Sequence, residues 1–139
     1  MNLGPSKSDP ASRRPFQAGR ALGPQGASIV AEDVEWLVDT GADIAALWDS
    51  VGSQFPDAKP IAATASPTTG SETMQVFEGI VAEFETEDRV GAAAKVRADG
   101  RVAVKLDDSG HNILGAEQLA NAGARVAWDP GARRGRLLG

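Results

Sequence analysis

Asp39 follows the apolar alternation Val34, Trp36, Val38 and is itself followed by Thr40 and Gly41. A carboxylate placed directly after such a strand sits at a partly desolvated strand end with backbone N–H groups nearby, a setting that tunes its proton affinity. Gly41 permits close backbone approach to that carboxylate, and Thr40 offers a hydroxyl that can anchor the loop from behind. The same tripeptide is also an ordinary turn, since Asp and Gly are common turn residues. A second segment narrows the choice. Asn112-Ile113-Leu114-Gly115 places two hydrophobic residues and a glycine at a strand-to-helix junction, and Ile113 follows Asp39 by 74 residues.

The elements that must position these two loops read as short strands. From Ser28 onward, brief apolar alternations are bounded by Gly, Pro, Asp and Ser, the pattern of an all-β domain. Val34, Trp36 and Val38 share one face of a strand, and Asp39 to Asp43 leave it as a loop. Ile61–Ala65 and Thr73–Phe84 flank Ser-Pro-Thr-Thr-Gly-Ser and predict a long hairpin with its tip near Gly70. Val90–Val96 and Arg101–Leu106 predict another, turned at Asp99-Gly100. Ala116 to Ala122 is built of good helix formers, with Gly123 where a left-handed cap is needed. Arg125–Trp128 and Arg136–Leu138 read as closing strands. Residues before about Gly26 hold four of the eight prolines and a basic excess, and predict a flexible arm. The expected division is an arm over 1–27 and one domain over 28–139.

Composition excludes several chemistries. The 139 residues contain no Cys and a single His, which removes thiol nucleophiles, structural zinc and iron–sulfur centres. No metal or other cofactor is expected. With 14 Lys+Arg against 19 Asp+Glu the net charge is −5, which argues against a dedicated nucleic-acid binder. No apolar run approaches the roughly 18 residues of a membrane span, and no secretory signal is legible, so no membrane contact and a cytoplasmic location are expected. Asp107-Asp108-Ser109-Gly110-His111 holds the letters of a Ser-His-Asp triad, but neighbours in one turn cannot adopt relay geometry. There is no Gly-x-Gly-x-x-Gly and no P-loop. Trp36, Trp48 and Trp128 read as core or interface anchors.

Val38-Asp39-Thr40-Gly41-Ala42-Asp43 resembles the catalytic loop of retropepsins, the retroviral-type aspartic proteases. Asn112-Ile113-Leu114-Gly115, with Leu119, Gly123, Val126 and Asp129 behind it, resembles their closing motif. The resemblance covers about Ser28 to Leu138. It implies an all-β, closed barrel-like protomer, half of an acid protease with one short C-terminal helix, that pairs as a homodimer. Each copy would supply one Asp39 to a dyad that activates water against a peptide or protein substrate. Carried over position by position, Asp39, Thr40 and Gly41 would form the catalytic loop, Thr40 gripping its counterpart across the two-fold axis. Ala42, Asp43, Thr69, Gly70 and Ile113 would contact substrate, with Thr69 and Gly70 in a flap over the cleft. A retropepsin-like dimerisation or peptide-binding module without proteolysis is the alternative.

Three departures suit a cellular member better than a retroviral one, and the high Ala, Gly and Arg content is compatible with a bacterial source. Ala116 stands where an Arg is usual, so Asp43 needs another cation, with Arg133, Arg134 and Arg136 as candidates. The flap has one glycine and the chain no Tyr. The arm does not resemble a mature retroviral N-terminus, and its extended, exposed character suggests either self-cleavage between about Phe16 and Gly26 or a passive tail that other proteases trim.

Overall fold

A computed structural model of the chain describes residues 2–26, 29–47, 59–65, 74–104 and 111–139. The expected flap tip with Thr69 and Gly70, Trp48, and the Asp107–Gly110 turn lie outside the described residues. Eleven strands form one mixed sheet: β1 (Phe16–Leu22), β2 (Ile29–Val38), β3 (Ala45–Leu47), β4 (Lys59–Ala65), β5 (Met74–Glu78), β6 (Val81–Glu87), β7 (Ala93–Asp99), β8 (Val102–Val104), β9 (Asn112–Leu114), β10 (Arg125–Asp129) and β11 (Arg134–Leu138). The α-helix α1 (Ala116–Asn121) follows β9. The protein is all-β in class. The strand order β10-β11-β6-β1-β2-β9-β3-β8-β5-β4, with β7 on β6, describes an open sheet where a closed barrel was expected.

The flexible arm is corrected. β1 pairs antiparallel with β2 on one side and with β6 on the other, in the interior of the sheet. Leu3 bridges to Gly135 and Gly4 to Phe16, so the segment before β1 is tied down as well. Leu3, Phe16, Ala21 and Leu22 are buried. The four prolines bracket the strand and do not interrupt it: Pro5, Pro10 and Pro15 precede β1 and Pro24 follows it. Composition over the whole segment therefore conceals a seven-residue strand with buried apolar ends.

The expected hairpin turned at Asp99-Gly100 is also corrected. β7 pairs along its whole length with β6, whereas β8 leaves to join β5 and β3. The true turn lies at Asp88–Ala92. Asp88 Oδ1 accepts the N–H groups of Val90 and Ala92, both at 2.9 Å, and Gly91 takes a left-handed φ of 83°. That Asx geometry reverses the chain, with Gly91 supplying the backbone angle other residues resist. β4 and β5 do pair as expected, but β5 stops at Glu78, where Gly79 at φ 91° releases the chain into β6. Val34, Trp36 and Val38 share the main core with Leu47, Phe84, Leu114, Leu119 and Leu137. Gly123 caps α1 at φ 65°.

One buried ion cluster braces the sheet away from the loops. Glu83 is buried and receives Arg20 Nε at 2.7 Å, Arg20 Nη2 at 2.9 Å and Arg97 Nε at 2.9 Å. The hydrogen bonds from Arg20 lead in holding its carboxyl at about 2, below the ordinary 4.5; burial opposes them and Arg97 adds to them.

Candidate functional site

Asp39 is placed by the parallel pairing of β2 with β9, in which Trp36, Leu37 and Val38 face Asn112, Ile113 and Leu114. The Asp39 amide continues that ladder by donating to the carbonyl of Leu114 at 3.1 Å. The loop then folds on itself. Gly41 N–H donates to Asp39 Oδ1 at 2.9 Å, and Ala42 N–H to the Asp39 carbonyl at 3.2 Å. One carboxylate oxygen is thus fixed by a backbone dipole, while the side chain keeps 31% of its exposure. Thr40 is exposed, and its hydroxyl has no partner among the described residues.

The same loop caps the helix. Gly115 precedes α1 and offers no side-chain cap, so the free N–H groups of the first turn need acceptors. Ala116 N–H donates to the Ala42 carbonyl at 2.7 Å and Glu117 N–H to the Asp43 carbonyl at 3.0 Å. Gly115 itself lies against the backbone of Ile44 and Ala45, and a Cβ there would collide with the Ile44 carbonyl. The two sequence segments, remote along the chain, therefore form one interlocked unit through main-chain contacts. Ile113 and Ile44, both half-buried, pack on a small cluster of Ala46, Met74 and Ala103, in which Met74 is the first residue of β5. Ala42 is half-buried in the loop and Asp43 is exposed.

Among the described residues no ion pair joins Asp43 to Arg133, Arg134 or Arg136 or to another cation, and the charge of Asp43 acts on Arg101 without a contact between them. Arg101 Nε and Nη2 lie 3.0 and 2.9 Å from Glu117 Oε2. Its own amide donates to Glu117 Oε1 at 3.3 Å. The hydrogen bond that Arg101 donates to Glu117 is the main reason its guanidinium is held more firmly protonated than usual, and the charges of Glu117 and Asp43 add to it. The clamp Arg101–Glu117 ties the β7–β8 connection to the helix turn that holds the Asp43 carbonyl.

A groove of about 450 Å³ opens beside Asp39, walled by Pro15, Val38, Thr40, Val126 and Trp128. Arg14 stands at its rim with Nη2 3.9 Å from Asp39 Oδ2, and at 58% exposure that contact is loose and solvent-screened. The segment carrying Arg14 is strapped down: Pro15 O accepts Val38 N–H at 3.0 Å, and Arg13 O accepts Trp128 Nε1–H at 2.8 Å. Sequence reading missed Arg14 because it belongs to the supposed arm, and Arg101 because nothing local links it to Glu117. His111, whose triad neighbours lie outside the described residues, packs edge-on against Phe16 at 4.9 Å.

Among the described residues, Asp39 is the one acid lining this groove. Such an arrangement can supply one general acid or base and one water-accessible carboxylate oxygen; a reaction needing a second carboxylate must obtain it elsewhere. Among the described residues, no group of three or more His, Asp or Glu side chains is placed to hold a metal ion, and no helix is long and apolar enough to cross a membrane. No family model matches the sequence, and no curated protein matches it.

Proposed function

We propose that the chain is an aspartic endopeptidase of retropepsin type, whose catalytic pair is completed when two copies bring their Asp39 loops together. The observation that carries this reading is the seating of Asp39: a carboxylate at a strand end, held by Gly41 N–H, on a loop locked to Leu114-Gly115 and to the first turn of α1. So rigid a mount orients a side chain that contributes little to the core, which is what a reacting group requires.

The chemistry follows from charge. Two carboxylates at one site cannot both ionise cheaply, so the pair holds one proton between them and titrates as a unit. The ionised member takes a proton from a water lying between the two, that water attacks the peptide carbonyl, and the protonated member hydrogen-bonds the carbonyl oxygen. Water is the nucleophile, so no covalent intermediate forms. Thr40, exposed and unpartnered among the described residues, is available to grip its counterpart. Asp43, whose carbonyl holds the Glu117 N–H, would accept backbone N–H groups of an extended peptide with its exposed side chain.

The test is cleavage of a peptide library by the purified protein at acidic and at neutral pH, compared with Asp39→Asn and Asp39→Ala. Loss of cleavage with the fold and oligomeric state retained supports the assignment. Residual cleavage within about tenfold of the original removes Asp39 from the catalytic role.

A further inference from the structure

We propose that the cleft where the β1–β2, β5–β6 and β7–β8 connections meet binds a guanidinium group on an alkyl stem, the side chain of arginine. The cleft encloses about 420 Å³, and Pro24, Glu78, Gly79, Asp99, Gly100 and Glu117 are among its walls. It shares no lining residue with the groove beside Asp39. Glu117 joins the two regions: its N–H goes to the Asp43 carbonyl, while its carboxylate goes to Arg101 on the cleft wall.

The wall combines an apolar flank with acceptors. Gly79, at a left-handed φ of 91°, turns the chain after β5 against Pro24, whose Cγ would stand 3.5 Å from a Cβ placed on that glycine. Three carboxylates line the cleft, Glu78, Asp99 and Glu117, against one guanidinium, Arg101, which Glu117 already holds through Nε and Nη2. Glu78 stands opposite Lys59 in the β4–β5 register. The exposed carboxylate of Asp99 has no ion pair or hydrogen bond among the described residues, so it is the acceptor left over.

A buried group independently points to the same wall. Gln118 is 1% exposed, and the end of its side chain is turned onto Gly100, where a Cβ would collide with Nε2 and stand 3.0 Å from Cδ. Nε2 donates to the Arg101 carbonyl at 2.9 Å, whereas Oε1 has no hydrogen-bond partner among the described residues. A buried acceptor left unmet is costly, and a donor entering beside Gly100 would relieve it.

The spread of these acceptors selects the ligand. Among the described residues no three carboxylates converge to hold one metal ion. Separated acceptors suit a cation that spreads its donors: a guanidinium carries five N–H groups in a plane, whereas an ammonium is a compact point charge. The alkyl stem has the Pro24 ring to lie on. This inference requires neither Asp39, nor a second copy, nor peptide cleavage.

The test is a titration of the full chain with Nα-acetyl-argininamide, followed in amide ¹H–¹⁵N spectra. Saturable shifts are expected at the amides of Gly79, Gly100 and Arg101 and at the side-chain amide of Gln118, with a Kd on the order of 1 mM. Asp99→Asn, on an exposed position, is expected to weaken binding about fivefold. Asp33→Asn removes the same charge from outside the cleft and is expected to leave binding unchanged. Nα-acetyl-citrullinamide, of the same shape without the charge, is expected to give no shift. Free L-arginine run in parallel distinguishes the sources: binding tighter than the capped form identifies a small molecule, weaker binding a polypeptide segment, and either upholds the site. Shifts scattered over the surface, reproduced by the citrulline analogue or unaltered by Asp99→Asn overturn it, as does the absence of any shift at about 20 mM.

Discussion

Gly115 and Ile44 meet backbone to backbone: a methyl group on Gly115 would run into the Ile44 carbonyl and stand 2.9 Å from the amide nitrogen of Ala45. Through that contact the loop beginning at Asp39 rests on the end of β9, and α1 receives the two carbonyls that cap it. Gly115→Ala is expected to cost about 1–3 kcal/mol, because neither backbone can retreat without losing its ladder. Denaturant unfolding measures it. Gly4→Ala, where nothing lies within 4 Å, is the control and is expected to leave the midpoint unchanged. An unchanged midpoint for Gly115→Ala means the loop does not rest there.

The N-terminal segment is expected to be indispensable. Removing residues through Leu22 strips β1 from between β2 and β6 and bares both strand edges. No folded protein is expected by circular dichroism or amide-proton dispersion. Leu3→Ala, at a site only 4% exposed, is expected to cost about 2–5 kcal/mol. Self-cleavage between Phe16 and Gly26 would sever this strand, so the intact protein is expected to keep its N-terminus when incubated at acidic pH, as mass spectrometry would read.

Acid stability is expected to follow Glu83. Its folded value of about 2 lies below the ordinary 4.5, so the unfolded chain takes up the proton first. The stabilisation is complete above about pH 4.5 and drains away as pH falls through 2. Glu83→Gln is expected to be less stable at neutral pH and to show a flatter decline across that window. A decline of equal slope in both proteins would assign the acid transition to other carboxylates.

Arg101→Ala is expected to change stability by less than about 1 kcal/mol, since the pair it forms with Glu117 is partly exposed. Its effect is expected in substrate affinity, with KM rising and kcat held, because Asp43 loses the cation its charge acts on while Asp39 keeps its mount. Arg101→Lys, which keeps the charge but not the forked geometry, is expected to recover part of the loss. Equal falls in kcat and kcat/KM would place Arg101 elsewhere in the reaction.

The parts legible in the sequence are those where local pattern and packing agree. Val34, Trp36 and Val38 alternate and are buried together; Ala116 to Gly123 carries helix formers and its own stop signal. Where two local signals competed, the weaker-looking one prevailed. Asp99-Gly100 is a strong hairpin dipeptide, yet β7 pairs with β6, because the Asp88 turn joins strands long enough to register seven residue pairs. The prolines before Pro24 masked β1 because a compositional window averages over a strand shorter than itself. Arg101 against Glu117, and Arg14 beside Asp39, are contacts between elements. No spacing rule reaches them, since they depend on how the sheet folds back on itself.

The central claim is that each active site contains one Asp39 from each of two chains, and titrating Asp39→Ala protein into a fixed amount of the unaltered protein tests it most directly. Mixed dimers would hold half a dyad and be inert. At a ninefold excess of the variant, random pairing is expected to reduce cleavage to about one tenth by mass action. Cleavage that stays constant across the titration, with mixed dimers demonstrated in the same samples, would mean that one chain carries a complete site.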